Sequence, residues 1–138
     1  MSFAFLLTTL LLILPAALGV LDGAPIDSVY RGNMLLSGET LETNQYLQKD
    51  NCVLKMQEDC NLVMYDSGSA TWASQTANQG SNCKLSMQYD GNLVLYDSNG
   101  NPLWHSNTGT ANSPNIYPCI LQSNCHIVIY GPYQWSNP

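Results

Sequence analysis

A nine-residue stretch occurs three times in this chain, and its repetition limits the fold more than any other feature. The copies lie at residues 57–65, 88–96 and 122–130. The first two share the pattern Q-x-D-x-N-x-V-x-Y, and the third departs from it at Asn124 and His126. A period of about 30 residues indicates one structural unit that is built several times and stacked against its neighbours.

The second copy predicts a β-hairpin. Asp90 and Gly91 stand between two alternating apolar runs, which is a strong short-range hairpin signal. Because side chains alternate along a strand, Leu93 and Leu95 should face the core, while Val94 shares the opposite face with the polar residues of the motif. Amide, carboxylate and phenol groups around one small aliphatic side chain suit a ligand of adjacent hydroxyl and CH groups. We therefore predict a sugar-binding face.

Short strands separated by turn-rich spacers run through the rest of the sequence. Beyond the first residues, no stretch repeats apolar residues at helical spacing for three turns, so an all-β fold is predicted. One small sheet cannot bury its apolar face alone, so each repeat should supply an antiparallel sheet and the three should pack together. Trp72, Trp104 and Trp135 hold equivalent positions in the repeats, and we expect their indoles to form the core around a three-fold axis.

The two complete copies resemble the sugar-binding motif of the monocot (bulb-type) mannose-binding lectins. The likeness extends to an opening segment at residues 36–41 and to residues 72–76 and 104–108, which resemble the W-x-S-N-T strand of that family. It covers the chain from Asn33 onwards. The resemblance implies a β-prism, in which three small antiparallel sheets are arranged with pseudo-three-fold symmetry.

The resemblance also implies which residues bind mannose. In the family, the Gln, Asp, Asn and Tyr of the motif hydrogen-bond the sugar hydroxyls, and the Val packs against the ring carbons. By that likeness the expected mannose-binding residues are Gln57, Asp59, Asn61, Val63, Tyr65, Gln88, Asp90, Asn92, Val94 and Tyr96. A degenerate third site is expected at Gln122, Asn124, His126, Val128 and Tyr130. Its amide replaces the charged acceptor, which weakens a charge-assisted hydrogen bond.

Enzyme chemistry has little support in the sequence. A glycosidase uses a pair of carboxylates, whereas each motif supplies one, and Tyr89 stands where the first copy has the additional acid Glu58. No Cys–His spacing indicates zinc, so we expect no catalysis, no metal and no other cofactor. A net charge of −6 argues against a cationic surface for nucleic acid or for an anionic membrane.

The N-terminal residues predict a secretory signal peptide. Residues 3–14 form an apolar run that is followed by Pro15 and small residues, and the run is too short to span a membrane. We expect a signal peptide over residues 1–19, with a cut as late as residue 32 as the alternative, and a lectin domain over residues 33–138. The mature protein should then be secreted or vacuolar.

Five cysteines in a secreted chain leave one thiol over. The resemblance implies a bridge between Cys60 and Cys83, which lie three residues after one repeat's Gln and five before the next. If three repeats close around an axis, the same rule pairs Cys125 with Cys52 and leaves Cys119 as a free, buried thiol. The rival pairing joins Cys119 to Cys125 across one hairpin.

Two classes of function remain open at this point. One is a mannose-binding lectin that recognises terminal mannose on glycans, in defence or recognition. The other is a lectin-fold protein with idle sugar sites that acts in storage or through protein contacts. We also expect a homodimer, although only Ser136, Asn137 and Pro138 follow Trp135, which leaves little C-terminal strand to exchange with a partner.

Overall fold

The structure, a computed structural model, describes residues 28–110, 115–131 and 135–136, with Trp135 as backbone only. All regular structure in these ranges is β-strand, which confirms the all-β prediction. The strands are β1 (Val29–Tyr30), β2 (Met34–Leu35), β3 (Thr40–Glu42), β4 (Gln45–Lys49), β5 (Cys52–Met56), β6 (Leu62–Asp66), β7 (Ser69–Ala73), β8 (Lys84–Met87), β9 (Leu93–Tyr96), β10 (Pro102–His105), β11 (Cys119–Leu121), β12 (Ile127–Ile129) and β13 (Trp135–Ser136).

The strands form three sheets, one for each repeat. The first sheet has the order β1-β4-β5-β6-β7, the second β10-β9-β8-β3 and the third β13-β12-β11-β2. All neighbours are antiparallel except β1 and β4, which are parallel. The segment before the first motif therefore contributes strands to all three sheets. Strand β2 belongs to the third sheet, β3 to the second and β4 to the first.

Aliphatic side chains from all three sheets meet in one core. The residues that alternate with the motif positions fill it, since Leu62, Met64, Leu93, Leu95 and Ile127 are each completely buried. The prediction that this face of each hairpin is the core face is confirmed. Removing these side chains from water provides the main free energy that holds the three sheets together.

The two tryptophans with described side chains pack against this core without being fully buried in it. Trp72 and Trp104 are only half-buried, pack against the core cluster and contact each other edge to face with ring centroids 5.5 Å apart. The prediction that the indoles form the core around the axis is confirmed in that the indoles of two repeats meet and pack against the core, and it is wrong in that neither is fully buried. They sit on β7 and β10, the edge strands of their sheets, and the side chain of Trp135 lies outside the described residues.

Two disulfides join neighbouring repeats, one as the resemblance implies and the other as the three-fold argument predicts. Cys60 pairs with Cys83 at a Cα separation of 5.3 Å, and Cys52 pairs with Cys125 at 5.0 Å. The rival Cys119–Cys125 pairing is wrong, because Cys119 is a buried free thiol on β11. Burial raises the pKa of Cys119 to about 12, so the group stays a thiol at neutral pH.

A third contact, without cysteines, completes the symmetry. Gly91 lies three residues after Gln88, and Tyr117 lies five residues before Gln122. These are the offsets at which the other two pairs of repeats have their bridged cysteines. Gly91 has a φ of +85°, and a Cβ added there would lie 3.1 Å from the Tyr117 ring. The tyrosine thus packs flat against backbone where the other two repeats are joined by sulfur.

The N-terminal predictions concern residues that the structure does not describe. The first described residue is residue 28, so the predicted signal peptide over residues 1–19 lies wholly outside the described residues. The alternative segment up to residue 32 lies largely outside them. Within the described ranges, no helix is long and apolar enough to cross a membrane. The boundary of the lectin domain at residue 33 stays a prediction, and β1 lies just before it.

Candidate functional site

All three motif copies fold into the same three-residue hairpin loop. In the first copy the Gln57 amide donates to the Asn61 carbonyl at 3.0 Å, and the Cys60 amide donates to the Gln57 carbonyl at 3.1 Å. The other two copies repeat both bonds within 0.1 Å. The last residue of each loop has a positive φ, 69° at Cys60, 85° at Gly91 and 60° at Cys125. A loop of this kind holds the motif side chains of the two strands in one register.

The aspartate of each complete motif is fixed by its own turn. One carboxylate oxygen of Asp59 accepts the Asn61 amide at 2.9 Å, and Asp90 accepts the Asn92 amide at the same distance. No hydrogen bond to the second carboxylate oxygen is found within residues 28–110 and 115–131. At Asp90 this oxygen lies beside Gly109, where an added Cβ would be only 3.2 Å away. Each carboxylate therefore offers an anchored, charged acceptor to a ligand.

The asparagine amide is oriented from behind. The backbone amide of Thr76 donates to Oδ1 of Asn61 at 3.2 Å, and the Ser74 hydroxyl lies 3.2 Å from the same atom. A backbone amide can only donate, so the atom it meets is the oxygen, and the NH₂ group is left to donate outward. Ser106 and Thr108 hold Asn92 in the same way, at 3.2 and 3.3 Å.

Glutamine and tyrosine close the opposite end of each site. Nε2 of Gln57 donates to the Tyr65 hydroxyl at 2.5 Å, as Gln88 does to Tyr96. The phenol has accepted this bond, so its own proton is available to a ligand. Between the two polar ends lies a valine, Val63 in the first site, with 4% of its surface exposed. The structure therefore brings the ten predicted residues together in two matching candidate sites, on the first and second sheets.

The third copy keeps the frame but not the chemistry. Gln122 still donates to the Tyr130 hydroxyl at 2.9 Å, and Asn124 Oδ1 still accepts the His126 amide at 3.2 Å. The turn acceptor is now a neutral amide, and an imidazole stands in the asparagine position. Asn137 occupies the sequence position of the orienting serines Ser74 and Ser106, and it lies outside the described residues.

Sequence reasoning missed the orienting residues of both complete sites. The W-x-S-x-T strand was recognised only as part of the resemblance, although its serine and threonine align the asparagine. Ser74 and Thr76 are 8% and 2% exposed, and a small hydroxyl pair at the same distance from each motif was the available signal. Within the described ranges no group of three side chains suited to a metal is found.

No protein-family model matches the sequence. A mannose-specific lectin of Aloe arborescens is 44% identical over 104 residues, which cover 75% of this chain and 94% of that protein. The chain belongs to the monocot mannose-specific lectin family. The present chain spans only about half the length of several other relatives. It covers 53% of a mannose-specific lectin of Colocasia esculenta and 46% of one of Remusatia vivipara.

Solved lectin structures share the fold of this family member. The mannose-specific agglutinin of snowdrop (Galanthus nivalis), complexed with methyl-α-D-mannoside, is 48% identical with a TM-score of 0.69. A lectin of Gastrodia elata, described as monomeric, is 40% identical with a TM-score of 0.70. Each alignment covers 75% of this chain, and 93% and 94% of the respective structures. The predicted β-prism of three sheets is confirmed.

Proposed function

We propose that this protein is a mannose-binding lectin with two working sites, which recognises terminal mannose on glycans in defence or recognition. The observation that carries the proposal is the duplication of one polar arrangement. In both complete copies, a carboxylate, an amide NH₂ and a phenol are held by the same internal bonds around a valine. The stability of the hairpins does not require fixed donors and acceptors that face solvent, whereas binding of a sugar does.

The proposed roles follow from which atoms remain free. The second oxygen of Asp59 accepts a sugar hydroxyl, Asn61 Nδ2 donates to the same hydroxyl, and the Tyr65 hydroxyl donates to another. Val63 contacts the CH face of the ring. An axial 2-hydroxyl, as in mannose, reaches acceptor and donor together, whereas an equatorial hydroxyl in the same pose does not. Asp90, Asn92, Tyr96 and Val94 have the matching roles in the second site.

The expected affinity of one site is weak. Each hydrogen bond contributes roughly 0.5–1.5 kcal/mol net, and association consumes much of that sum, so a Kd of about 1 mM is expected. Two sites on separate sheets let the lectin bind two branches of a mannan surface, which raises the apparent affinity without any new contact. The proposal involves no catalysis, because each complete site holds a single carboxylate.

Substitutions that copy the third motif test the proposal. Asp59→Asn and Asp90→Asn keep the turn, since Asn124 keeps it in the third copy, but each removes a charged acceptor worth about 1.5–3 kcal/mol. Calorimetry should find two methyl α-mannoside molecules per wild-type chain and one per single variant. The double variant should pass through a mannan column that retains the wild type until free mannoside is added.

The third copy provides the control for this experiment. Asn124→Ala should leave two sites per chain and normal retention on mannan. Three equivalent sites in the wild type would contradict the assignment of a degenerate third site. A wild type that flows through mannan would favour the second candidate, a lectin fold with idle sites that acts in storage or through protein contacts.

We further propose that residues 1–19 are removed and that the mature protein is secreted or vacuolar. The two disulfides support this, since such bonds persist in oxidising compartments. We also propose a homodimer. Because β13 pairs with β12 of the same chain, the dimer would form without exchange of this strand. Light scattering at micromolar concentration should give twice the chain mass, and a monomer mass alone would refute the dimer.

A further inference from the structure

The outer face of the first sheet continues beyond the proposed mannose site. Val63 on β6 is paired with Lys55 on β5, and Lys55 is paired with Tyr46 on β4. Directly paired residues of antiparallel strands lie on the same face. Tyr46 is in turn paired with Tyr30 on β1, and their ring centroids are 5.7 Å apart. We call Val63, Lys55, Tyr46 and Tyr30 the cross-strand row.

Lys55 gives this row a hydrogen-bond donor next to the site. Its side chain is 8% exposed, and no hydrogen bond or ion pair to its ammonium is found among the described residues. Burial lowers the pKa of this ammonium, while the Glu58 carboxylate raises it. Glu58 itself accepts from the Asn44 amide group at 3.1 Å. The ammonium nitrogen itself reaches solvent, since it is not among the buried, unpartnered side-chain nitrogens of the described residues, so a ligand hydroxyl can accept a charge-assisted hydrogen bond from it.

Tyr30 ends the row with an open aromatic ring. It is 58% exposed, whereas Tyr46 below it is 6% exposed. Strands in a sheet are about 4.8 Å apart, so the three steps from Val63 to Tyr30 span about 14 Å. A ligand that starts at Val63 and follows the row must therefore be longer than one sugar, and a trisaccharide has a comparable length.

The corresponding rows of the other sheets lack both features. In the second sheet Ser86 is paired with Val94, and Thr40 is the next residue. In the third sheet Ile120 is paired with Val128, and Met34 is next. Neither sheet has a described strand in the place of β1. A cation and an exposed ring in line with the motif valine thus occur in the first sheet alone within the described ranges.

We propose that the first site is an extended site for linear mannose oligosaccharides, in which a second sugar lies over Lys55 and a third stacks on Tyr30. This rests on the proposed function, because the terminal mannose occupies the site at Val63. The Lys55 ammonium donates to a hydroxyl of the second sugar, and the CH face of the third packs on the exposed ring. The second site then binds terminal mannose only, so the two sites differ in the length of glycan they recognise.

The test compares each site in isolation. Asp90→Asn silences the second site and Asp59→Asn the first, and the probes are methyl α-mannoside and linear α-linked mannotriose. For each site we take the ratio of the mannotriose affinity to the methyl α-mannoside affinity. This ratio should be about three- to ten-fold higher at the first site than at the second. Comparing the two ratios removes any statistical advantage of a longer ligand.

Two variants in the Asp90→Asn background assign the effect. Tyr30→Ala should abolish the gain for mannotriose and leave methyl α-mannoside binding unchanged, which also shows that the site is still folded. Lys55→Met keeps the apolar stem and should reduce the gain about three-fold by removing the donor. Tyr89→Ala is the matched control, since Tyr89 is equally exposed at 57% but lies in the silenced second site.

The outcomes separate this inference from the proposed function. No binding of methyl α-mannoside to the wild type would overturn the proposed function itself. Monosaccharide binding with equal mannotriose ratios at the two sites would overturn the extended site alone. A gain that survives Tyr30→Ala would overturn the assignment of the third sugar to that ring.

Discussion

Replacing Cys52 and Cys125 together by alanine is expected to lower the free energy of unfolding by about 4 kcal/mol. The bridge closes a loop with a sequence separation of 73 residues, and without it the unfolded chain gains the entropy of that loop. Replacing Cys60 and Cys83 opens a loop of only 23 residues and should cost about 3 kcal/mol. The larger loss thus belongs to the bridge that the symmetry argument predicted.

Urea unfolding followed by tryptophan fluorescence measures both losses. The two double variants are controls for each other, because each removes one disulfide and the same two sulfur atoms. Burial raises the pKa of Cys119 to about 12 in the folded state only, so the unfolding is measured at mildly acidic pH, where an exposed thiol also stays protonated. A greater loss for the Cys60–Cys83 variant would mean that loop length does not control the stabilisation.

Ser74→Ala is expected to weaken mannose binding at the first site about ten-fold and to destabilise the fold by about 2 kcal/mol. The Ser74 hydroxyl accepts the buried Leu62 amide at 3.0 Å and contacts the amide oxygen of Asn61. Without the hydroxyl, the Leu62 amide has lost its partner, and Asn61 is held only by the Thr76 amide. Its outward NH₂ group is then less well oriented.

Binding and stability are measured separately for this variant. Calorimetry with methyl α-mannoside in the Asp90→Asn background reports the first site, and urea unfolding reports the fold. Ser106→Ala should reproduce both losses at the second site, in the Asp59→Asn background. Ser81→Ala is the control, because the Ser81 hydroxyl is exposed and its hydrogen bond to Ser98 Oγ is long, at 3.4 Å. Unchanged binding in Ser74→Ala would show that the Thr76 amide alone orients the asparagine.

The features predicted correctly from the sequence depend on local patterns or on symmetry. The turn before Leu93 follows from Asp90 and Gly91, and strand alternation then decides which side chains enter the core. The pairing of Cys52 with Cys125 needed one further step, the assumption that the repeats close on themselves. Both kinds of argument use only the spacing of residues, and that spacing is printed in the sequence.

The features that were missed depend on contacts between distant segments. Nothing in the short strands β2 and β3 indicates that they join the third and second sheets, because each of their residues is paired with one that lies more than 40 residues away along the chain. The repeated position of Trp72 predicts a core residue, but β7 lies at the edge of its sheet and leaves the indole half-buried. The sequence does not single out Lys55 either, because its proposed role depends on its pairing with Tyr46 on β4 and Val63 on β6.

The Cys52–Cys125 bridge also changes what a protease can do to this molecule. Both complete motifs, at residues 57–65 and 88–96, lie inside the loop that this bridge closes. A single cut anywhere between the two cysteines leaves one fragment that carries Cys52 and another that carries Cys125. The fragments stay covalently joined, and each can remain seated in the shared core. A nicked molecule is therefore still one particle with both motifs attached.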